Sequence, residues 1–190
     1  MPRAGLSHDV VVRAAADVAD ETGWEQLSLA AVAARFGVKL PSLYKHISGL
    51  DGLRRDVAVL ATRELGDALS AAAVGRAGDA ALRALADAYR AFGHAHPGRY
   101  AGTVRAPAAD DAEHVAAADS VLRVVLAVLD GYGLRGDDAI DATRALRAGL
   151  HGFVTLEAGG GFGLPQDVDR SFRRMVDGLD ATMTAWVAVG

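Results

Sequence analysis

Apolar residues recur every three to four positions along most of this chain, which is the spacing that predicts amphipathic helices. A first helix is predicted from Ser7, a residue type that caps helix N-termini, to about Thr22, just before Gly23. Its inner face is formed by Val11, Ala14, Ala15, Val18 and Ala19. Alanine is the best helix former, and it is abundant here, so a largely helical protein is expected.

The same periodicity continues to the end of the chain. It predicts longer helices over Leu50–Leu69, Ala80–His94, Glu113–Gly131, Asp137–Glu157 and Val168–Val187. No window alternates strictly between apolar and polar residues as a half-buried strand would, and no repeat has a fixed period. The predicted fold class is therefore all-α.

Between these helices lies the segment LSLAAVAARFGVKLPSLYKHI, residues 27–47. Ser28 would cap a second helix, and Gly37 would end it. A very short third helix would begin near Pro41, which suits a first helical turn because its missing N–H needs no partner there. Leu43 and Ile47 are four residues apart and would pack on the second helix. Two short helices joined by a tight turn containing glycine are typical of a helix-turn-helix.

The outer face of the short helix carries side chains that suit DNA. The major groove is about 12 Å wide and admits a helix. Ser42 and Lys45 can reach base edges or phosphates, Tyr44 and His46 can donate to phosphates, and Leu40 with Pro41 can contact a thymine methyl group. On spacing alone, an ordinary helical hairpin with a solvated polar face explains the segment equally well.

Charge and composition narrow the classes of protein. The net charge is −4, yet residues 35–55 hold five basic side chains and one acid, a local positive patch of the kind that binds nucleic acid. There is no cysteine, which fits a reducing cytoplasm. The first ten residues lack the apolar core of a signal peptide, and no apolar run approaches the roughly 20 residues of a membrane span. We expect a cytoplasmic protein without a membrane partner.

The segment 27–47, preceded by ETGWEQ, resembles the DNA-binding domain of TetR-family bacterial transcriptional regulators. The shared pattern is Ser28, Val32-Ala33, Phe36-Gly37-Val38, Ser42-Leu43-Tyr44 and His46-Ile47. The resemblance implies a three-helix DNA-binding domain over residues 1–49 and a helical regulatory domain over 50–190, with ligand pocket and dimer interface. It implies a homodimeric repressor or activator that binds a small organic effector and a near-palindromic double-stranded operator and needs no cofactor. A repressor released from its operator by the effector is the favoured form.

Candidate DNA contacts follow from the motif and its departures from the family. This chain has Lys39 where the family often has serine, and Leu50 where a lysine often grips a phosphate. Arg54 or Arg55 is the candidate replacement for that lysine. The full set of candidates is Ser28, Lys39, Leu40, Pro41, Ser42, Tyr44, Lys45, His46, Arg54 and Arg55.

The remaining two-thirds of the chain resembles the C-terminal domain of one TetR subgroup, in AHPGRYAGTVRAPAADDAEH and RALRAGLHGFVTLEAGGGFGLPQDV. Family resemblance places an effector pocket between these helices and the long fourth helix, Leu50–Leu69. Its candidate lining residues are Tyr89, Phe92, His96, Tyr100, Arg105, His151 and Glu157. Because most of the helical faces are apolar, we expect an uncharged or weakly polar effector. His151 lies mid-helix and is either a core histidine or a polar group of the pocket.

The last helix carries a wide apolar stripe, which is either protein core or one half of a dimer seam. Together with the preceding helix it would form a four-helix bundle across two subunits. The candidate interface residues are Ile140, Leu150, Val154, Phe172, Met175, Leu179, Met183 and Trp186.

The histidines suggest an alternative function. His94, His96 and His114 lie near Asp110, Asp111 and Glu113, and a helical metalloenzyme or hydrolase could use them. None of these histidines has the i, i+4 spacing of a zinc-binding helix, and no nucleophile motif is present. The sequence EAGGGFGLPQ follows no strand and lacks the P-loop lysine, so it predicts a flexible connection between helices.

Overall fold

The computed structural model describes residues 6–187, with only the backbone of Val187. These residues form nine α-helices and one short 3-10 helix, and they contain no β-strand. The helices are α1 His8–Thr22, α2 Leu29–Phe36, α3 Leu40–Leu43, α4 Gly49–Ala73, α5 Gly78–Ala95, α6 Pro97–Gly102, α7 Ala112–Asp130, α8 Gly136–Ala158 and α9 Val168–Val187. The 3-10 helix covers Trp24–Gln26. The all-α prediction is confirmed.

Helix ends in the first third lie where capping chemistry predicts them. The Ser7 hydroxyl accepts a hydrogen bond from the Val10 amide at 3.4 Å, and the Ser28 hydroxyl accepts one from the Ala31 amide at 3.3 Å. Gly37 ends α2 in the left-handed conformation, with φ of 63°. Such a backbone is unstrained for glycine and costly for residues with a β-carbon, which explains why the chain turns here.

Two short elements had no sequence prediction. These are the 3-10 helix after Gly23 and the six-residue helix α6. Six residues are too few for a periodic pattern, and the two glycines of α6 suggest a loop. Helix α6 nevertheless packs on α1 and on the 3-10 helix, so tertiary contacts stabilise it rather than intrinsic propensity.

Contacts within the chain define two compact units. Unit 1 covers residues 6–64 and 95–118, and unit 2 covers 65–94 and 119–187. The core of unit 1 is made by α1, α2, α3 and the first half of α4. Its fully buried side chains include Val11, Leu27, Val32, Leu43, Leu53 and Val57. Burying each large aliphatic side chain contributes roughly 1.5–3 kcal/mol, which is how a four-residue helix is held in place.

Unit 2 has its own core, between α5, the later part of α7, α8 and α9. Helix α8 packs on α9, where Gly149 lets Leu179 approach to 3.5 Å of the glycine's β position. The largest fully buried side chains are Leu69, Leu82, Leu85, Leu129, Leu146, Leu150, Phe172 and Met183. Among the described helices, none combines the length and apolar character that a bilayer crossing requires.

Candidate nucleic-acid interface

The recognition segment, Leu40–His46, is held by its apolar side and by its own turns. Leu43 is fully buried and Ile47 nearly so, both in the core of unit 1. The Ser42 amide donates to the Lys39 carbonyl at 2.9 Å, and the His46 amide donates to the Leu43 carbonyl at 2.8 Å. Backbone hydrogen bonds and buried anchors therefore fix a segment that would not be helical alone.

The opposite side of this segment faces solvent. Lys39, Leu40, Pro41, Tyr44 and Lys45 are exposed, and Ser42 and His46 are half-buried. Tyr44 has 57% of its surface exposed, and Leu40 has 39%. These exposed side chains are therefore free to contact a DNA groove, which admits a helix and its flanking residues.

The two lysines of this surface are unneutralised. Within residues 6–187, neither Lys39 nor Lys45 has an acidic side chain within ion-pair distance. Arg35 differs, because its guanidinium contacts Glu21 at 2.7 Å and Asp17 at 3.9 Å. The ammonium groups of Lys39 and Lys45 are therefore available to contact DNA phosphates.

Ser28 has a structural task in this surface. Its oxygen caps α2, so it positions the backbone before any contact with DNA is considered. A hydroxyl that accepts one hydrogen bond still has its proton, and Ser28 can donate that proton to a phosphate oxygen.

The guanidinium groups of Arg54 and Arg55 make hydrogen bonds within the protein. Arg54 donates through Nη2 to the Glu25 carbonyl at 3.0 Å, and its Nε is buried without a hydrogen-bond partner in the described structure. Arg55 binds Asp111 through two hydrogen bonds, one of 2.7 Å, and contacts Asp56 and Glu113 at 2.8 Å each. A phosphate at Arg55 would have to displace one of three carboxylates, and the replacement of the missing lysine by Arg54 or Arg55 stays a prediction.

These contacts shift the pKa values in the direction expected for a charged pair. The hydrogen bonds from Arg55, and then the amide of His114, hold the pKa of Asp111 well below its usual range. Hydrogen bonds to Asp111 and Asp56 raise the pKa of Arg55. Arg55 and Asp111 therefore stay ionised at neutral pH.

The candidate pocket residues fall into both units. Tyr89, Phe92, His151 and Glu157 belong to unit 2, where Tyr89 and Phe92 are buried. The Glu157 carboxylate accepts hydrogen bonds from Arg90, one of 2.8 Å, and lies 2.7 Å from His94 Nε2. Glu157 is thus an ion-pair partner within unit 2. Burial, and then the charge of Arg147, lower the pKa of half-buried His151.

His96, Tyr100 and Arg105 belong to unit 1. His96 Nδ1 lies 3.2 Å from Asp20, Tyr100 is buried, and Arg105 is exposed. Two surface grooves in unit 2, of about 700 and 270 Å³, are lined by none of the seven pocket candidates. The larger groove lies between the end of α7 and the start of α8.

Half of the candidate interface residues are part of the core of one chain. Leu150, Val154, Phe172 and Met183 are at most 1% exposed within the protomer. They have no surface left to offer to a second subunit. Ile140 and Trp186 are exposed at 36% and 38%, and Met175 and Leu179 are half-buried.

The histidines proposed for metal binding have other surroundings. His94 lies in unit 2 beside Glu157, whereas His96 and His114 lie in unit 1. His114 is buried, and its backbone amide donates to Asp111 at 3.1 Å. In the part of the chain that the structure describes, no three His, Cys, Asp or Glu side chains are grouped to hold a metal ion.

Each unit contains one arginine that contacts several acidic side chains and that the sequence pattern did not indicate. Arg99 contacts Asp17, Asp20 and Glu64 in unit 1. Arg90 contacts Glu157 and Asp169 in unit 2, and its guanidinium lies 4.8 Å from the centre of the Phe172 ring. The partners are tens of residues away in sequence, so no local pattern could have indicated them.

Comparisons with known proteins identify the class of protein that carries this interface. Residues 82–179, about half of the chain, match the family model described as Tetracyclin repressor-like, C-terminal domain. The chain is also 40% identical over 183 residues to the uncharacterized HTH-type transcriptional regulator Rv0681 of Mycobacterium tuberculosis strain H37Rv. That match covers 95% of this chain and 83% of Rv0681. This chain belongs to the TetR family.

A second relative is the uncharacterized HTH-type transcriptional regulator YobS of Bacillus subtilis strain 168. It is 36% identical over 183 residues, covering 94% of this chain and 95% of YobS. Among solved structures, a TetR variant from Acinetobacter baumannii AYE in complex with minocycline has a TM-score of 0.72 at 20% identity. That match covers 96% of this chain and 98% of the TetR chain, and it shows a shared fold.

Membership of the TetR family settles the broad function. The protein is a DNA-binding transcriptional regulator and not an enzyme. The alternative hypothesis of a helical metalloenzyme or hydrolase built on the His94, His96 and His114 region is therefore wrong.

Proposed function

We propose that this TetR-family regulator is a homodimeric repressor that leaves a near-palindromic operator when a small organic effector binds. The observation that carries the proposal is the exposed recognition segment, on which Tyr44, Lys39 and Lys45 face solvent. We assign direct DNA contacts to Lys39, Leu40, Pro41, Ser42, Tyr44, Lys45 and His46, with Ser28 as a phosphate donor. Because its target is chromosomal DNA, the regulator would act in the cytoplasm.

The proposed dimer uses the exposed parts of the last two helices. Ile140 and Trp186 are large apolar side chains in contact with solvent, and half-buried Met175 and Leu179 lie on the same helix as Trp186. A two-fold symmetric pairing would bury these side chains in a four-helix bundle. Each subunit would then present one recognition segment to one half-site.

The proposed effector is an uncharged or weakly polar organic molecule. The regulatory helices bury mainly Ala, Val, Leu and Phe side chains, which supports a weakly polar ligand. The TetR variant with a similar fold is in complex with minocycline, which supports a small organic one. An effector can release the operator only if its affinity differs between the DNA-bound and free states. A coupling of about 1–3 kcal/mol would change DNA affinity roughly 5- to 150-fold.

The DNA part of the proposal is tested by selecting binding sites from random duplex DNA with the wild-type protein. We expect near-palindromic sites whose half-sites are about one helical turn apart, or a multiple of it. Binding should weaken steeply with salt, because each phosphate neutralised contributes about 0.9 to the log–log slope. Recovery of asymmetric single sites alone would argue against a symmetric dimer on DNA.

The effector part is tested with a compound identified by thermal-shift screening. We expect His151→Ala to reduce the release of the selected operator by that compound, while operator affinity without the compound stays nearly that of wild type. An unchanged response would place His151 in the core. Thermal shifts from nucleotides or divalent metals alone would contradict the apolar pocket.

A further inference from the structure

An ionic cluster in unit 1 joins the start of three helices. We define the Arg55 cluster as His8, Arg55, Asp56, Arg63, Asp111 and Glu113. His8 lies in the first turn of α1, Arg55 in the second turn of α4, and Asp111 directly before α7. The cluster therefore connects elements that are far apart in sequence but belong to the same unit.

Asp111 has two roles in this cluster. Its Oδ1 accepts a hydrogen bond from the His114 amide at 3.1 Å, so it caps α7. Both of its oxygens also accept hydrogen bonds from Arg55, the Nε bond being 2.7 Å long. The Asp111 and Asp56 side chains are only 16% and 15% exposed, so water screens these contacts weakly. A bidentate pair of hydrogen bonds between the planar guanidinium and carboxylate groups fixes their orientation as well as their distance.

Helix α4 connects this cluster to the recognition segment. It begins at Gly49, two residues after Ile47, and its buried Leu53 and Val57 share a core with Leu43. A change in the direction of α4 would therefore move the surface on which the recognition segment rests. Close-packed side chains transmit such shifts because they leave few voids to absorb them.

We propose that Arg55 and Asp111 are positioning residues for DNA binding, and that their ion pair holds α4 against α7 so that the recognition segment keeps its reading geometry. The pair acts through this packing and does not touch DNA. Without the ion pair, the recognition segment must become ordered when it binds DNA. The entropic cost of this ordering lowers the affinity for DNA. The inference rests on the proposed use of Leu40–His46 for DNA reading.

The charges of the cluster argue against a phosphate contact by Arg55. One guanidinium faces the three carboxylates of Asp56, Asp111 and Glu113, which leaves an excess of negative charge beside it. Arg63 contacts Glu113 at 3.0 Å and offsets part of that excess. A phosphate arriving at Arg55 would meet occupied donors and repelling oxygens.

The effect of Asp111→Asn on DNA affinity distinguishes a positioning role of the ion pair from a purely electrostatic effect, because the two predict changes of opposite sign. Asparagine still caps a helix, so α7 keeps its end, but the charged partner of Arg55 is lost. Removing a negative charge should leave DNA affinity unchanged or increase it if electrostatics alone matter. A positioning role predicts the opposite, a loss of about 5- to 30-fold.

The experiment measures affinity for the operator selected by wild type, at several salt concentrations and well below the melting temperature. We expect Asp111→Asn and Arg55→Gln each to weaken binding about 5- to 30-fold with an unchanged salt slope. The double variant should be no weaker than either single variant, because both remove the same pair. Arg55→Lys should restore part of the affinity, since it keeps the charge but not the two-pronged geometry.

Two matched controls change the same charges nearby. Asp110→Asn removes the adjacent exposed acid, and Arg13→Gln removes an exposed arginine of α1; neither residue has an ion-pair partner among residues 6–187. We expect Asp110→Asn not to weaken operator binding. If Asp111→Asn folds poorly, Glu113→Gln is a milder variant that removes a more exposed carboxylate of the cluster. It should lower operator affinity by a smaller factor than is expected for Asp111→Asn.

Three results would overturn the inference. A drop of about 0.9 in the salt slope for Arg55→Gln, with unweakened binding by Asp111→Asn, would make Arg55 a phosphate contact. Lower melting temperatures with unchanged operator affinity would make the pair purely structural. Independent, additive losses from the two variants would show that they do not act as a pair. A wild-type protein that selects no DNA would instead contradict the proposed use of the recognition segment.

Discussion

Gly98 lies against the carbonyl group of Ala19, and a β-carbon at residue 98 would overlap the carbonyl carbon and oxygen. The contact joins α6 to α1 within unit 1. Only glycine allows two helical backbones to approach so closely. The neighbouring Arg99 uses this proximity, since its amide donates to the Asp20 carboxylate at 2.8 Å.

We expect Gly98→Ala to lower the free energy of unfolding by about 1–3 kcal/mol, because the methyl group must push α6 away from α1. Gly152→Ala is the matched control, as this helical glycine has no atom within 4 Å of its β position. It should be neutral or stabilising by up to about 1 kcal/mol. Urea unfolding of both variants measures the difference, and equal stabilities would show that α6 can shift without cost.

The first third of the fold was predictable because its signals are local. Ser7, Ser28 and Gly37 end helices through their own backbone and side-chain chemistry, and the structure confirms all three ends. The long helices were predictable from periodicity for the same reason. Helix α6 was not, because its stability comes from contacts such as that of Gly98 with α1, which depend on residues almost eighty positions away.

For the candidate site residues, the sequence gives the chemical type of each side chain but not whether that side chain is exposed. Tyr44 and Lys45 carry groups that suit DNA, and the structure leaves them exposed. Arg55 has an equally suitable side chain, but Asp111 and Asp56 occupy it. Phe172 and Met183 fit an interface stripe equally well, but they are buried in their own chain. Periodicity cannot distinguish a buried face from an interface face, since both are apolar.

The pH dependence of stability should include a contribution from His8. A hydrogen bond to Asp56 at 2.9 Å, assisted by Asp9, raises the pKa of His8 above its ordinary 6.5. A raised pKa in the folded state stabilises the fold fully below the unfolded pKa, and this contribution is lost as pH rises through the folded pKa. The stability difference between wild type and His8→Gln should therefore be larger at pH 5.5 than at pH 8.5.

Chemical unfolding of the two proteins at both pH values measures this change. The pKa of Arg55 is raised and that of Glu113 is lowered by their hydrogen bond, so neither group changes its charge over this range and the change reports His8 itself. A difference that stays constant with pH, or that grows toward pH 8.5, would mean that the imidazolium is not stabilised by Asp56.

Trp186 provides the test of the proposed dimer seam. It is 38% exposed near the end of α9, and an arginine there would place a charge in an apolar interface. We expect Trp186→Arg to weaken dimerisation at least about 30-fold, the loss typical of a central interface residue. Sedimentation velocity would then show monomer or aggregate at concentrations where wild type is dimeric.

Val74→Arg is the matched control, since Val74 is 71% exposed in the turn directly after α4 and lies outside α8 and α9. It should sediment as wild type does. A well-folded Trp186→Arg protein that remains dimeric would place the seam elsewhere on the protomer.

Lys45 and Tyr44 lie side by side on the recognition segment, and their chemistry predicts different effects on DNA recognition. If Lys45 reads a guanine, Lys45→Ala should cost about 1–3 kcal/mol and relax the preference at one base pair. Tyr44 is 57% exposed, and its hydroxyl is suited to a phosphate oxygen. Tyr44→Phe should therefore weaken binding to all DNA sequences by a similar factor, because a phosphate contact carries no base information.

Titrations against every single-base variant of the selected operator measure both effects, with Arg13→Gln as a control for general loss of positive charge. If Tyr44→Phe alters base preference while Lys45→Ala weakens every sequence alike, the two roles are exchanged, and Lys45 is the residue that neutralises the backbone.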